Sequence, residues 1–303
     1  MAQQEGIHQF LTGDEIVRLG RLSVASRYTV EGSVAGAHRS KLKGVSVEFA
    51  DYRQYVPGDD PKHLDWRVFG RNEKLFLREY EEETSLRLSL LVDSSNSMSY
   101  TSGGNVPSKY HYSATLAVAL AYLVIHRQDS VGLAIFDHRC RVNMPPRGGA
   151  DHLRLLANAL ASHQPGENTD LAGTLHALAE QSHRRGLVVI FSDLFDDVER
   201  IRAALAHFRR RRHDVIVYQV LDRAELELPF REAGVFEDLE SGERITAAPS
   251  AVRGVYQTKV AEFLAGCRRA CAGLGIDYQL LVTDRPPIDS LIQHLRQRAL
   301  AGR

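Results

Sequence analysis

The chain has 303 residues, 44% hydrophobic and 25% charged, and its 38 Lys and Arg balance 38 Asp and Glu. That is globular composition, long enough for one large domain and a smaller one, and the zero net charge gives no global pull toward nucleic acid or an anionic membrane. Three cysteines, Cys140, Cys267 and Cys271, lack C-x-x-C spacing, which argues against a disulfide framework or a structural zinc site.

The N-terminal MAQQEGIHQFLTGDEI has neither the basic start nor the apolar core of a signal peptide. The longest apolar stretch, Ala114 to Ile125, is too short to cross a bilayer. The expectation is a cytoplasmic protein with no membrane insertion. Thr12-Gly-Asp-Glu15 carries capping chemistry ahead of an apolar helical repeat, and Tyr28 to Val34 alternates as a strand. In the segment from Gly44 to Trp66, Pro57-Gly58-Asp59-Asp60 predicts a turn, because Pro presets φ and Gly accepts the positive φ that follows. KLFLREYEEET then alternates as an extended strand.

From Leu86 onward the pattern is strand, helix, strand. LRLSLLVD, VGLAIFD, LVVIFSD, VIVYQV and YQLLVT are apolar runs of strand length, and CRVNMPP is a short neighbour. Helices are predicted over 110–125, 151–162, 171–182 and 197–210. Cys267 and Cys271, four apart on a further helix, share a face and are expected simply to pack there. Near-continuous apolar strands alternating with helices imply α/β architecture, a doubly wound and mostly parallel sheet covered on both faces. Pro229 to Ile245 breaks the alternation as a hairpin. The expected domains are an accessory β-rich region over 1–85, the α/β domain over 86–225 and 249–303, and a hairpin insertion over 226–248 that packs with the N-terminal region.

The chemistry concentrates at strand ends. Asp93-x-Ser95-x-Ser97 follows the first apolar strand, where doubly wound sheets bind ligands. A carboxylate and two hydroxyls at i, i+2 and i+4 suit Mg²⁺, which takes oxygen ligands, keeps several waters and uses one or two carboxylates. Asp and Ser also cap turns, so this loop is not diagnostic alone. Thr169 starts a helix, where it also suits an N-cap, and Asp193 ends the next apolar strand at the same sheet edge, where the helix dipole also favours an acid.

Asp51, Asp59, Asp60 and Asp65 interleave with Arg53, Lys62, Arg67 and Arg71, which favours an ion-pair network over a second metal site. In that network Arg53 and Asp60 are candidates to clamp the accessory region. The basic run His207 to His213 falls at a helix C-terminus, where cations complement the dipole, and predicts no nucleic-acid partner. H-E-x-x-H, G-x-S-x-G and G-x-x-x-x-G-K-[ST] are absent, so no hydrolase or ATP-binding motif is present.

Asp93-x-Ser95-x-Ser97, Thr169 and Asp193 together resemble the metal-ion-dependent adhesion site of von Willebrand factor A domains, across roughly 86–225 and 250–300. Gly44, Ser46 and Glu48, then Arg53, Tyr55, Pro57, Gly58, Asp59 and Asp60, then Asp65, Trp66 and Arg71, resemble the signature of the bacterial domain of unknown function 58. The resemblance spans nearly the whole chain. It implies a Mg²⁺ site (Mn²⁺ and Ca²⁺ being the alternatives), no established enzymatic activity, and association with MoxR-type AAA+ ATPases. Many members carry membrane helices, which this chain lacks. The leading expectation is a module that binds a partner protein's acidic side chain through the metal, as an adaptor for a MoxR-type ATPase. The alternative is a Mg²⁺-dependent phosphoester hydrolase, which needs a general base that the three ligand loops do not contain.

Overall fold

The computed structural model describes residues 5–20, 48–56, 64, 66–72, 75–81, 86–166, 170–182, 184–239 and 242–301. Its contacts divide the chain into two compact units, Met1–Val30 with Leu86–Arg303, and Glu31–Ser85. The smaller unit contains β1 (Glu48–Gln54), α3 (Trp66–Asn72) and β2 (Phe76–Glu81), with β1 and β2 antiparallel. The strand expected in KLFLREYEEET is β2, whereas the Tyr28–Val34 strand and the Pro57–Asp60 turn lie outside the described residues.

The larger unit begins with α1 (Glu5–His8) and α2 (Gly13–Leu19). The capping box at Thr12 is formed, with the Thr12 hydroxyl accepting from the Glu15 N–H and the Glu15 carboxylate accepting from the Thr12 N–H at 2.8 Å. The division differs from an accessory region beginning at residue 1. Phe10, Leu11 and Leu19 are buried in the same core as the main sheet, so apolar burial holds this stretch to the larger unit.

The rest of this unit is β3 (Arg87–Asp93), α4 (Lys109–Ile125), β4 (Ser130–Phe136), β5 (Cys140–Arg147), α5 (Ala150–Ser162), α6 (Leu171–Gln181), β6 (Leu187–Ser192), α7 (Val198–Arg210) and β7 (Asp214–Leu221). After these come α8 (Arg223–Glu227), the hairpin strands β8 (Gly234–Glu237) and β9 (Arg244–Ala247), α9 (Pro249–Gly273), β10 (Asp277–Val282) and α10 (Pro287–Ala301). The central sheet has six strands in the order β10-β7-β6-β3-β4-β5. All neighbours are parallel except β4 and the edge strand β5. This is the doubly wound, mostly parallel α/β sheet expected from the apolar strand runs.

Both faces of the sheet are covered. On one side α4 is buried almost around its circumference, because Ala114, Ala117, Ala119 and Ala121 let it approach the strands closely. Leu153 and Leu156 of α5 and Leu291 and Leu295 of α10 complete that layer. On the other side Leu175, Leu205, Phe208, Cys267 and Cys271 pack from α6, α7 and α9. Each fully buried Leu or Phe contributes about 1.5–3 kcal/mol by leaving water. Both helical cysteines pack in this core as expected.

The hairpin is present, and among the described residues its two strands pair with each other. β8 and β9 form one two-stranded sheet and β1 and β2 another. The hairpin touches the loop after β3, where the Asn96 amide donates to the Leu239 carbonyl oxygen.

Candidate metal centre

Strands β3 and β6 are neighbours, and the chain runs from β3 to β4 on one side and returns to β6 on the other. The carboxyl ends of β3 and β6 therefore flank the point where strand order reverses, the usual ligand crevice of such sheets. In register, Val92 lies opposite Phe191, which brings Asp93 beside Ser192 and Asp193. The Ser192 hydroxyl donates to Asp93 Oδ2 at 2.6 Å and the Ser95 N–H donates to Asp93 Oδ1 at 2.9 Å. Ser95 Oγ and Ser97 Oγ stand 3.1 Å apart. Asp93, Ser95 and Ser97 thus form one hydrogen-bonded set, with Asp193 on the adjoining strand end. Thr169 lies outside the described residues.

The structure corrects one property of these acids. Strand-end loops commonly face solvent, but Asp93 is 1% and Asp193 2% exposed. The loop after β3 contacts the hairpin through Asn96, and the turn after β6 hydrogen-bonds back to Ser192 and Asp193. Burial, and then the charge of Asp193, push the Asp93 carboxyl up to about 7, against the opposing hydrogen bonds from Ser192 and Ser95.

Three residues near this edge were missed by sequence reasoning. Lys109, the first residue of α4, is 0% exposed. Its ammonium bridges Asp193 Oδ2 at 2.9 Å and Glu225 Oε1 at 2.6 Å. Burial opposes this charge, but Asp193 and Glu225 outweigh it and raise the lysine pKa above its ordinary value. Gln219 donates from its side-chain amide to the Asp193 carbonyl oxygen at 2.7 Å. A signal for Lys109 was present in the sequence: a cation at a helix N-terminus opposes the dipole and requires a compensating anion. Glu225 carried no such signal, since its meeting with Lys109 joins residues 116 apart in the chain.

The next residue, Leu194, has φ 61°, a left-handed conformation that costs a non-glycine residue about 1 kcal/mol. Its N–H donates to the Ser192 hydroxyl at 2.9 Å and its side chain is buried, which hold the turn despite that cost. The turn aims the Phe195 N–H at Asp193 Oδ1, 3.2 Å away.

The donor set fits a hard cation. All candidate ligands are oxygens, and the 3.1 Å separation of the serine hydroxyls is close to the edge of about 3.0 Å of an octahedron with Mg–O bonds of about 2.1 Å. Among the described residues no group of three or more His, Cys, Asp or Glu side chains could hold a metal, so hydroxyls would have to complete the shell.

The family-signature residues form no comparable centre among the described residues. Gly44, Ser46, Pro57, Gly58, Asp59, Asp60 and Asp65 lie outside them, so the Arg53–Asp60 clamp does too. Glu48 and Arg53 belong to β1 and Arg71 to α3. The Tyr55 N–H donates to the Leu75 carbonyl oxygen at 2.9 Å. Trp66, 64% exposed, meets Phe69 edge to face at 6.2 Å.

This sheet order, with its acid-and-serine loop at the carboxyl edge, defines a doubly wound α/β domain with a candidate ligand crevice. The chain belongs to the family described as protein of unknown function DUF58, whose model matches residues 51–264. An uncharacterized protein of Mycobacterium tuberculosis is 28% identical over 291 residues, covering 94% of this chain and 90% of that protein. Among solved structures, an aerotolerance-related membrane protein from Bacteroides fragilis is 15% identical with a TM-score of 0.45, covering 70% of this chain and all of that one. The SpRpn10 VWA domain is 9% identical with a TM-score of 0.39, covering 70% of this chain and 95% of that one.

The expectation of a cytoplasmic protein is corrected by the membrane protein among these neighbours. That expectation rested on the lack of a signal-peptide pattern and of an apolar span, and neither feature by itself sets location. Among the described residues no helix is long and apolar enough to cross a membrane.

Proposed function

We propose that this protein is a metal-dependent protein-interaction module rather than a catalyst. Asp93, Ser95, Ser97 and Asp193, together with Thr169, would hold a Mg²⁺ directly or through water, with Mn²⁺ or Ca²⁺ able to replace it. The observation carrying this reading is the pair of buried carboxylates beside two serine hydroxyls at octahedral spacing, on the ligand-binding edge of the sheet. A bound Mg²⁺ would supply positive charge and an exchangeable coordination position for a partner's carboxylate. The chain's own residues orient the site: Ser192 and the Ser95 N–H fix the Asp93 carboxylate, and the Phe195 N–H and Lys109 fix Asp193.

The partner class follows from charge. A neutral molecule overall offers no broad field, so selectivity for an acidic side chain must come from this locus, and surrounding loops supply the contact area. The β8–β9 hairpin is placed to contribute, because its turn is anchored to the same loop through Asn96. The family resemblance supports a MoxR-type AAA+ ATPase as the machine this module serves, with recognition supplied here and mechanical work by the ATPase.

The test is a pull-down from native lysate with Mg²⁺ or EDTA, using wild type and Asp93→Ala. Partners retained only by wild type in Mg²⁺ are the expected result. Identical partner lists in all four samples remove the metal site from the mechanism. Phosphoester hydrolysis by the purified protein, lost in Asp93→Ala, would establish an enzyme instead.

A further inference from the structure

Lys109 is the unexplained group at this edge. A lysine with no exposure is rare unless paired, and placing it at a helix N-terminus adds an unfavourable dipole interaction. The fold accepts both. It directs the ammonium at Asp193 and Glu225 and fixes Glu225 through the α8 capping box, in which the Glu225 carboxylate accepts from the Asp222 N–H at 2.8 Å. Three segments meet at this lysine: the start of α4, α8, and the turn after β6, whose Phe195 ring has its centroid 5.1 Å from the ammonium.

The consequence falls on Asp193. Both of its carboxylate oxygens are engaged, Oδ1 by the Phe195 N–H and Oδ2 by Lys109. Neither hydrogen bond involves Asp93, whose oxygens are held by Ser192 and Ser95. The two acids of the site are therefore not equivalent: one is held by neutral donors and the other by a cation.

We propose that Lys109 is a positioning residue that keeps Asp193 out of direct contact with the bound cation and lowers the site's affinity for it. This rests on the metal-binding reading above. With Lys109 present, Asp93, Asp193 and Glu225 carry three negative charges against one positive, so a dication brings the locus close to neutrality and leaves it receptive to an incoming carboxylate. Without Lys109 the three acids over-compensate the same dication, which is then held more tightly and attracts an anion less. The lysine thus sets specificity for an anionic partner by withholding charge from the metal.

The experiment compares wild type, Lys109→Met, Lys109→Arg and the double variant Lys109→Met/Glu225→Gln. Mg²⁺ affinity is read by calorimetry, and inner-sphere waters on Mn²⁺ by water-proton relaxation. Removing a positive charge held 2.9 Å from Asp193 should tighten Mg²⁺ binding about tenfold after allowance for solvent and salt screening. Mn²⁺ should lose one exchangeable water as Asp193 enters its shell, and Lys109→Arg should restore both values toward wild type. A lysine that merely supports the fold would leave the water count unmoved. If Lys109→Met does not fold, the double variant decides, since it deletes the pair together and still frees Asp193 to displace a water.

Wild type and variants binding with the same affinity and water count overturn the role of Lys109 and leave the metal site standing. Binding by Lys109→Met alone upholds Lys109 as the group that sets affinity but overturns the metal reading for the native protein. No Mg²⁺ binding by any of the four proteins overturns both.

Discussion

Asp93→Asn removes the charge of a buried carboxylate while keeping its shape, and so isolates the electrostatic cost of this site in the metal-free protein. The gap between the ordinary value of 3.8 and the folded value of about 7, at about 1.4 kcal/mol per pH unit, bounds the ionisation penalty at about 4 kcal/mol. Asparagine still accepts from the Ser95 N–H but loses the Ser192 donation, which costs about 1 kcal/mol. Because the folded pKa is raised, the folded state holds a proton between about pH 4 and pH 7 that the unfolded state has released. The contribution of Asp93 is therefore most favourable below pH 4 and is lost as pH rises through 7. In EDTA, the stability of Asp93→Asn relative to wild type should increase by about 2–4 kcal/mol between pH 5 and pH 8.5. Urea denaturation of both proteins at the two pH values measures this, and titrations common to both cancel in the difference. A relative stability that stays flat with pH, or shifts toward wild type at pH 8.5, would refute the buried-charge argument.

Two other groups give independent checks. Arg298 donates to Asp277 and, at 2.5 Å, to the buried Asp214, so Arg298→Met should cost about 3 kcal/mol in urea denaturation. A loss below about 1 kcal/mol would show that this cluster is not a strong link. Burial pushes Cys267 up to about 11 and Cys271 up to about 12, keeping both as thiols at neutral pH. Iodoacetamide at pH 8 should label neither in the native protein and both in denaturant, as mass spectrometry would record; native labelling at either would contradict their burial.

The sequence by itself determined the sheet. Strands of six to eight residues with no polar alternation tolerate no solvent face, so they had to lie in a mostly parallel sheet covered by helices, whose carboxyl edge is where ligand loops gather. Asp93, Ser95, Ser97 and Asp193 were legible for that reason, since each stands at or just past the end of such a strand. The capping box at Thr12 was legible because it is a contact between residues three apart.

Tertiary structure decided what surrounds those residues. Both acids find partners far away in the chain, Asp93 in Ser192 and Asp193 in Lys109. The same holds for Lys109, whose two carboxylate partners lie 84 and 116 residues away. Periodicity reports which face of an element is apolar but carries no information on which distant polar group will meet another. The hairpin was recognisable from its turn, yet its place beside Asn96 was not, because its strands are four residues long and specify a partner surface only weakly. Local patterning thus sets where the acids and hydroxyls gather, whereas long-range packing sets which charged groups meet them.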